Sequence, residues 1–124
     1  MAGTIVADTI QDGAGNSTSM DNAIYGSAKA WVKFTGSSGA INGSFNVSSV
    51  TLNSTGKYTI TMTTAMPNTN YAISLGNVEL GTANNQIMNV RSDVTVTTTV
   101  FGIATYSGTT PQNLTSVYAS VFSS

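Results

Sequence analysis

Lys57-Tyr58-Thr59-Ile60-Thr61-Met62-Thr63 alternates strictly between apolar and polar residues. On an extended chain Tyr58, Ile60 and Met62 fall on one face and Lys57, Thr59, Thr61 and Thr63 on the other, the mark of a strand with one buried side. The same period of two recurs in Ala30-Trp31-Val32-Lys33-Phe34-Thr35, Tyr71-Ala72-Ile73-Ser74-Leu75, Val94-Thr95-Val96-Thr97 and Val117-Tyr118-Ala119-Ser120-Val121-Phe122. Turn-forming stretches separate these segments: Gly36-Ser37-Ser38-Gly39, Asn53-Ser54-Thr55-Gly56, Met66-Pro67-Asn68-Thr69-Asn70, Gly81-Thr82-Ala83-Asn84-Asn85 and Ser107-Gly108-Thr109-Thr110-Pro111. Short strands punctuated in this way predict an all-β chain, an antiparallel β-sandwich or jelly-roll-like domain. The abundance of β-branched Thr and Val agrees, because such residues fit a pleated surface better than a helix interior.

The chain has 124 residues and a mass of 12.7 kDa, the size of one domain. Charged residues make up 7%, against roughly 25% in an ordinary soluble domain. Neutral polar residues replace them: 20 Thr, 16 Ser and 12 Asn. Disorder does not follow, because 40% of residues are apolar and nine Phe and Tyr accompany Trp31. Four Lys and Arg against five Asp and Glu are too few cations to neutralise a duplex backbone, so no nucleic-acid partner is expected. Histidine and cysteine are absent, which removes the commonest general base, zinc ligand and thiol nucleophile. No metal or cofactor is expected. No apolar run approaches the roughly 20 residues of a membrane span, and Met1-Ala2-Gly3-Thr4-Ile5 has no secretory character. Membrane insertion is not expected, and the chain reads as soluble.

Residues 1–28 differ in character from the rest. Ile5-Val6-Ala7-Asp8-Thr9-Ile10 is a short apolar segment, and Gln11-Asp12-Gly13-Ala14-Gly15-Asn16-Ser17-Thr18 has the composition of a flexible linker. Ser19-Met20-Asp21-Asn22-Ala23-Ile24-Tyr25 suits one short helical turn capped by Ser19 or Asp21 and stopped by Gly26. The division expected is an arm and linker over 1–28 and a β-domain over 29–124. Ile5, Val6 and Ile10 at a chain end fray unless they dock on this domain, a sister subunit or a larger particle.

Several blocks recur in a fixed order: Thr18-Ser19-Met20-Asp21-Asn22, Gly26-Ser27-Ala28-Lys29-Ala30-Trp31-Val32-Lys33-Phe34, Ser44-Phe45-Asn46-Val47-Ser48-Ser49-Val50, Gly56-Lys57-Tyr58-Thr59-Ile60 and Thr64-Ala65-Met66-Pro67-Asn68-Thr69-Asn70-Tyr71-Ala72. Together they resemble the C-terminal domain of tail fibres of tailed bacteriophages, marine and cyanobacterial phages among them. The resemblance implies a virion structural protein without catalysis, usually a homotrimer, at a fibre tip or on the particle surface. It implies other virion proteins as partners, and solubility in the host cytoplasm before assembly on the tail or capsid. Only a short arm stands ahead of the module here, so a knob, a capsid decoration protein and a small tail appendage belong to the same expectation.

Trp31 lies out of phase with Ala30, Val32 and Phe34, on the opposite strand face with Lys33, and needs cover from a loop or the arm, from a sister subunit, or from a sugar. The last strand is apolar on both sides, with Tyr118 and Phe122 opposite Val117, Ala119 and Val121, which suits a central strand or one covered in an oligomer. Scarcity of charge also removes the usual protection of sheet edges, and closed association would supply it. Ile5, Val6, Ile10, Trp31, Tyr118 and Phe122 are therefore the interface candidates.

If the chain instead binds host cell-surface glycan, the sites expected are the eight-residue polar loop from Tyr106 to Asn113, with Tyr106, Thr109, Thr110, Gln112 and Asn113, and the loop over 81–86. Thr95-Val96-Thr97-Thr98-Thr99-Val100 offers a ladder of hydroxyls that either binds carbohydrate or is a solvated strand face. Asp12-Gly13-Ala14-Gly15-Asn16 has too few oxygens for a calcium loop. Five Asn-x-Ser/Thr triplets, at Asn16, Asn42, Asn46, Asn53 and Asn113, follow from composition. The carboxylates Asp8, Asp12, Asp21, Glu79 and Asp93 include three in or beside the arm, leaving little for a paired-carboxylate hydrolase, and no enzyme activity is expected.

Overall fold

The computed structural model describes residues 2–78 and 85–124. Among them are eleven strands and one short helix: β1 (Thr9–Gln11), β2 (Ser17–Ser19), α1 (Met20–Gly26), β3 (Ala30–Thr35), β4 (Ile41–Phe45), β5 (Val47–Ser54), β6 (Lys57–Met62), β7 (Ala72–Val78), β8 (Gln86–Val90), β9 (Val100–Ser107), β10 (Thr110–Pro111) and β11 (Ser116–Phe122). Every strand pairing is antiparallel, so the chain is an all-β protein as its periodicity predicts.

One sheet runs β4-β3-β11-β7. In the other, β5, β6, β9 and β8 lie side by side, and β10 extends the β6 edge of β9. The alternation in β3, β6 and β11 is realised as buried and more open faces: Ala30, Val32 and Phe34, Tyr58, Ile60 and Met62, and Val117, Ala119 and Val121 all enter a single core with Phe101, Ile103 and Leu114. Phe34 from one sheet meets Tyr58 from the other edge to face, with centroids 5.0 Å apart, a geometry that adds to area burial. β11 is apolar on both sides because it is central, flanked by β3 and β7.

Two polar residues hold the framework. The Tyr58 hydroxyl, buried in this core, donates toward the Gly36 carbonyl (2.8 Å) and Asn113 Oδ1 (3.1 Å), while the same Oδ1 accepts from the Gly56 amide at 2.7 Å. Asn46 turns the chain from one sheet to the other in a single residue with φ 54°, a conformation that Asn tolerates better than most residues. Its Nδ2 donates to the carbonyls of Lys29 and Thr64, each 3.1 Å away, and its Oδ1 accepts from the Thr64 amide at 2.6 Å.

The structure departs from the sequence reading in two of these segments. Residues 11–18 are no linker but the turn of the β1–β2 hairpin, closed by Asp12, whose Oδ1 accepts from the amides of Ala14 and Asn16 and whose Oδ2 accepts from Asn16 Nδ2. Val94 to Thr97 is not a strand. Thr97 Oγ1 accepts from the amides of Thr99 and Val100, and this side-chain competition for backbone groups bends the segment. The threonine ladder is thus not a strand face, and its Thr97 hydroxyl is engaged with the backbone; Val94, with Arg91 before it, lies against Gly102, where an added Cβ would lie 2.9 Å from Val94. The short helix does form, and Ser19 caps it by accepting from the Asn22 amide.

Candidate interaction surface

The outward face of the β4-β3-β11-β7 sheet is built by register. Trp31 pairs with Phe45 on one side and Ser120 on the other, and Ser120 pairs with Ser74. In the next row Gly43, Lys33, Tyr118 and Gly76 stand abreast. Glycine makes room for the aromatics: a Cβ on Gly43 would lie 3.5 Å from the Trp31 ring, and one on Gly76 3.9 Å from Tyr118 Cβ. Trp31 keeps 44% of its surface exposed and Phe45 56%. Lys33 Nζ stands 5.5 Å from the Tyr118 ring centroid, a cation over an aromatic face.

Small Ser74, Gly76 and Ser120 beside the larger Trp31, Lys33 and Tyr118 leave a shallow depression of about 480 Å³. A larger groove of about 790 Å³ opens beside it, lined by Ile24, Lys29, Phe45, Asn46, Met66 and Pro67 among others. Phe45 belongs to the groove and is the cross-strand neighbour of Trp31, so the apolar surface is continuous. None of the four flanking strands β4, β5, β7 and β8 carries a charged residue.

Trp31 and Tyr118 therefore meet on one face, and Phe122, paired with Ala72, shares that face at half burial. The arm residues stand apart. Ile5 and Val6 are 85% and 93% exposed, and Ile10, on β1, is half exposed. The segment expected to be a long polar loop is shorter than the sequence suggested: Ser107 pairs with Thr110 across a Gly108-Thr109 turn, with φ 60° at Gly108. A two-residue turn closed by glycine converts most of the supposed loop into β9 and β10. Tyr106 is half-buried opposite Pro111, Gln112 exchanges hydrogen bonds with Thr105, and Asn113 serves Tyr58 and Gly56. Only Thr109 and Thr110 remain open at the tip. Of the other loop considered, 81–84 lie outside the described residues, as does Glu79; Gln86 begins β8 and accepts from Asn77 Nδ2.

Phe45, Gly43 and Gly76 complete the face and were not singled out by pattern. Ile41-Asn42-Gly43-Ser44-Phe45 has no clean alternation, and a bulge at Lys33/Phe34 shifts its register against β3, so only the resemblance touched it.

No family model, curated protein or solved structure matches this chain.

Among the described residues no three carboxylates gather to hold a metal, and no helix is long and apolar enough to cross a membrane. Asp93 is taken by Arg91 (2.8 Å) and Lys57 (3.4 Å), and the Arg91 guanidinium beside it holds its carboxyl well below the usual carboxylate range. Asp12 is likewise lowered, chiefly by the Asn16 side chain. Burial pushes the phenols of Tyr58 and Tyr71 up.

Proposed function

We propose that this chain is a non-enzymatic structural protein of a tailed-phage particle, a β-sandwich that associates as a homotrimer and attaches to other virion proteins on the tail or capsid. The observation that carries the reading is the outward sheet face of Trp31, Phe45 and Tyr118 beside uncharged edge strands. Aromatics enriched on a flat, charge-poor surface are the composition of protein interfaces, and edges without lysine or proline invite pairing unless another subunit covers them. The sandwich reading draws on the one core shared by the inward faces of both sheets.

The blocks that resemble tail-fibre tips supply the framework: Ala30, Val32, Phe34, Tyr58, Met66 and Tyr71 in the core, Asn46 at the corner. That placement supports a common architecture. Light scattering of the purified chain is expected to give about three times 12.7 kDa, and a monomer mass up to roughly 100 μM overturns the trimer, since obligate interfaces hold well below that concentration. Peptide mass spectrometry of purified particles whose genome encodes the chain should find it, and its absence there overturns the virion assignment.

A host-glycan receptor is the second reading, and one observation favours it: a half-exposed indole with its ring beside Gly43, where a sugar ring could stack. Quenching of Trp31 fluorescence by surface oligosaccharide would support it. The 106–113 hairpin lends it little, with Gln112 and Asn113 committed to the fold.

A further inference from the structure

Charge is segregated along this chain. Residues 1–28 hold Asp8, Asp12 and Asp21 and no cation, a formal −3, whereas 29–124 hold all four cations against Glu79 and Asp93, a formal +2; the two make the −1 of the whole. Most of these charges are spoken for among the described residues. Asp93 takes Lys57 and Arg91, Asp12 closes its own turn, and Asp21 sits in the first turn of α1, where the helix dipole favours it. Lys29 Nζ donates to the Ile24 carbonyl and to Ser27 Oγ. What remains among the described residues is one acid on the arm, Asp8, and one cation on the aromatic face, Lys33, whose Nζ stands over the Tyr118 ring.

The spacing of their neighbours matches. In an extended arm Val6 and Asp8 share a face and stand about 6.6 Å apart. Trp31 and Lys33 share the outward face of β3 with the same separation of about 6.6 Å. Val6 is the most exposed large apolar residue among those described, at 93%.

We infer that the outward face of the β4-β3-β11-β7 sheet receives the N-terminal arm of a second copy of this chain, Val6 packing on Trp31 and Phe45 while Asp8 pairs with Lys33. The inference rests on the self-association proposed above and names its surface. Exchange of acidic arms onto the cationic aromatic faces of neighbours closes a ring when each subunit gives one arm and receives one.

The experiment is light scattering over a dilution series with five proteins: the full chain, a chain lacking residues 2–7, which keeps the Asp8 carbonyl that accepts from the Met20 amide, Asp8→Lys, Lys33→Asp, and the double variant Asp8→Lys/Lys33→Asp. Far-UV circular dichroism controls for folding, which should be unchanged because Ile5 and Val6 bury nothing in the domain. The full chain should associate, the truncated chain should run at monomer mass, each single variant should dissociate at about tenfold higher concentration than the full chain, and the double variant should recover most of that loss, as close interfacial charge pairs do. A truncated chain that keeps the oligomer mass overturns the arm exchange and leaves self-association standing. A double variant no better than the singles overturns the Asp8–Lys33 pair. If the full chain is itself a monomer, the self-association reading falls and arm exchange with it; a Trp31 emission shift on truncation of that monomer would then assign the arm to its own sheet.

Discussion

Replacing Asn46 with alanine tests whether one residue holds the two sheets together at their corner. The side chain makes three hydrogen bonds, one partly buried to the Lys29 carbonyl and two exposed ones with Thr64. Taking about 1 kcal/mol for the first and about 0.5 kcal/mol for each of the others gives about 2 kcal/mol. Alanine at φ 54° adds about 1 kcal/mol, because it has the same Cβ crowding as asparagine without the local polar interactions that offset it in the left-handed region. The expected loss is about 3 kcal/mol, or about 10 °C in Tm for a domain of this size. Asn46→Asp keeps the left-handed tolerance and the bond from the Thr64 amide but loses both donations, so about 1.5 kcal/mol is expected. Urea unfolding followed by the fluorescence of Trp31, the single tryptophan, reads both. An alanine variant within about 0.5 kcal/mol of the parent would refute the corner argument, since that is the range of an inert surface change.

Three further outcomes are expected. Tyr58→Phe should cost about 1–2 kcal/mol in urea unfolding, because the Gly36 carbonyl loses a buried donor at constant ring packing; a neutral result would mean that Asn113 and Gly56 suffice. Gly36→Ala should destabilise by about 3 kcal/mol or prevent folding, since the new Cβ would lie 2.0 Å from the Leu114 carbonyl oxygen, and a soluble variant of parental Tm would contradict that packing. Stability should fall at both pH extremes for opposite reasons. The Asp93 carboxyl is depressed in the folded state, so its contribution is present above 3.8 and lost as pH falls below it, whereas the Tyr58 and Tyr71 phenols are raised, so theirs is present below 10.0 and lost above it. Asp93→Asn should flatten the acid limb and Tyr58→Phe the alkaline one in urea midpoints measured against pH.

Legibility in the sequence followed local regularity. β3, β6 and β11 were readable because each has one face in the core and one more open, which writes the period of two directly into Ala30 to Thr35, Lys57 to Met62 and Ser116 to Phe122. β9 was missed for the opposite reason. Arg91 and Val94 cover its far side, so Phe101-Gly102-Ile103-Ala104-Thr105 is buried throughout and shows no alternation. Thr95 to Thr97 mimicked a strand by composition, and the hydrogen bonds of Thr97 overrode the pattern. On the surface, the outward placement of Trp31 and Lys33 followed from phase alone, while Phe45 depended on a register shift that no local spacing records. The compact 107–110 hairpin was hidden because a two-residue glycine turn and a long loop share the same residue types.

The position of β11 between β3 and β7 has a consequence for synthesis. A sheet whose second strand begins at Ala30 waits for its middle until Ser116–Phe122 has left the ribosome. During that interval Val32 and Phe34 have β4 on one side and no strand on the other, and β7 lacks the one sheet partner it has among the described residues. Closure over some 85 residues is slow compared with hairpin formation, because the chain must lose loop entropy before the contact returns any stability. The four-stranded sheet therefore closes late, and the nascent chain passes through a stage in which the β5–β6 hairpin is ready while the opposite half of the core is still open.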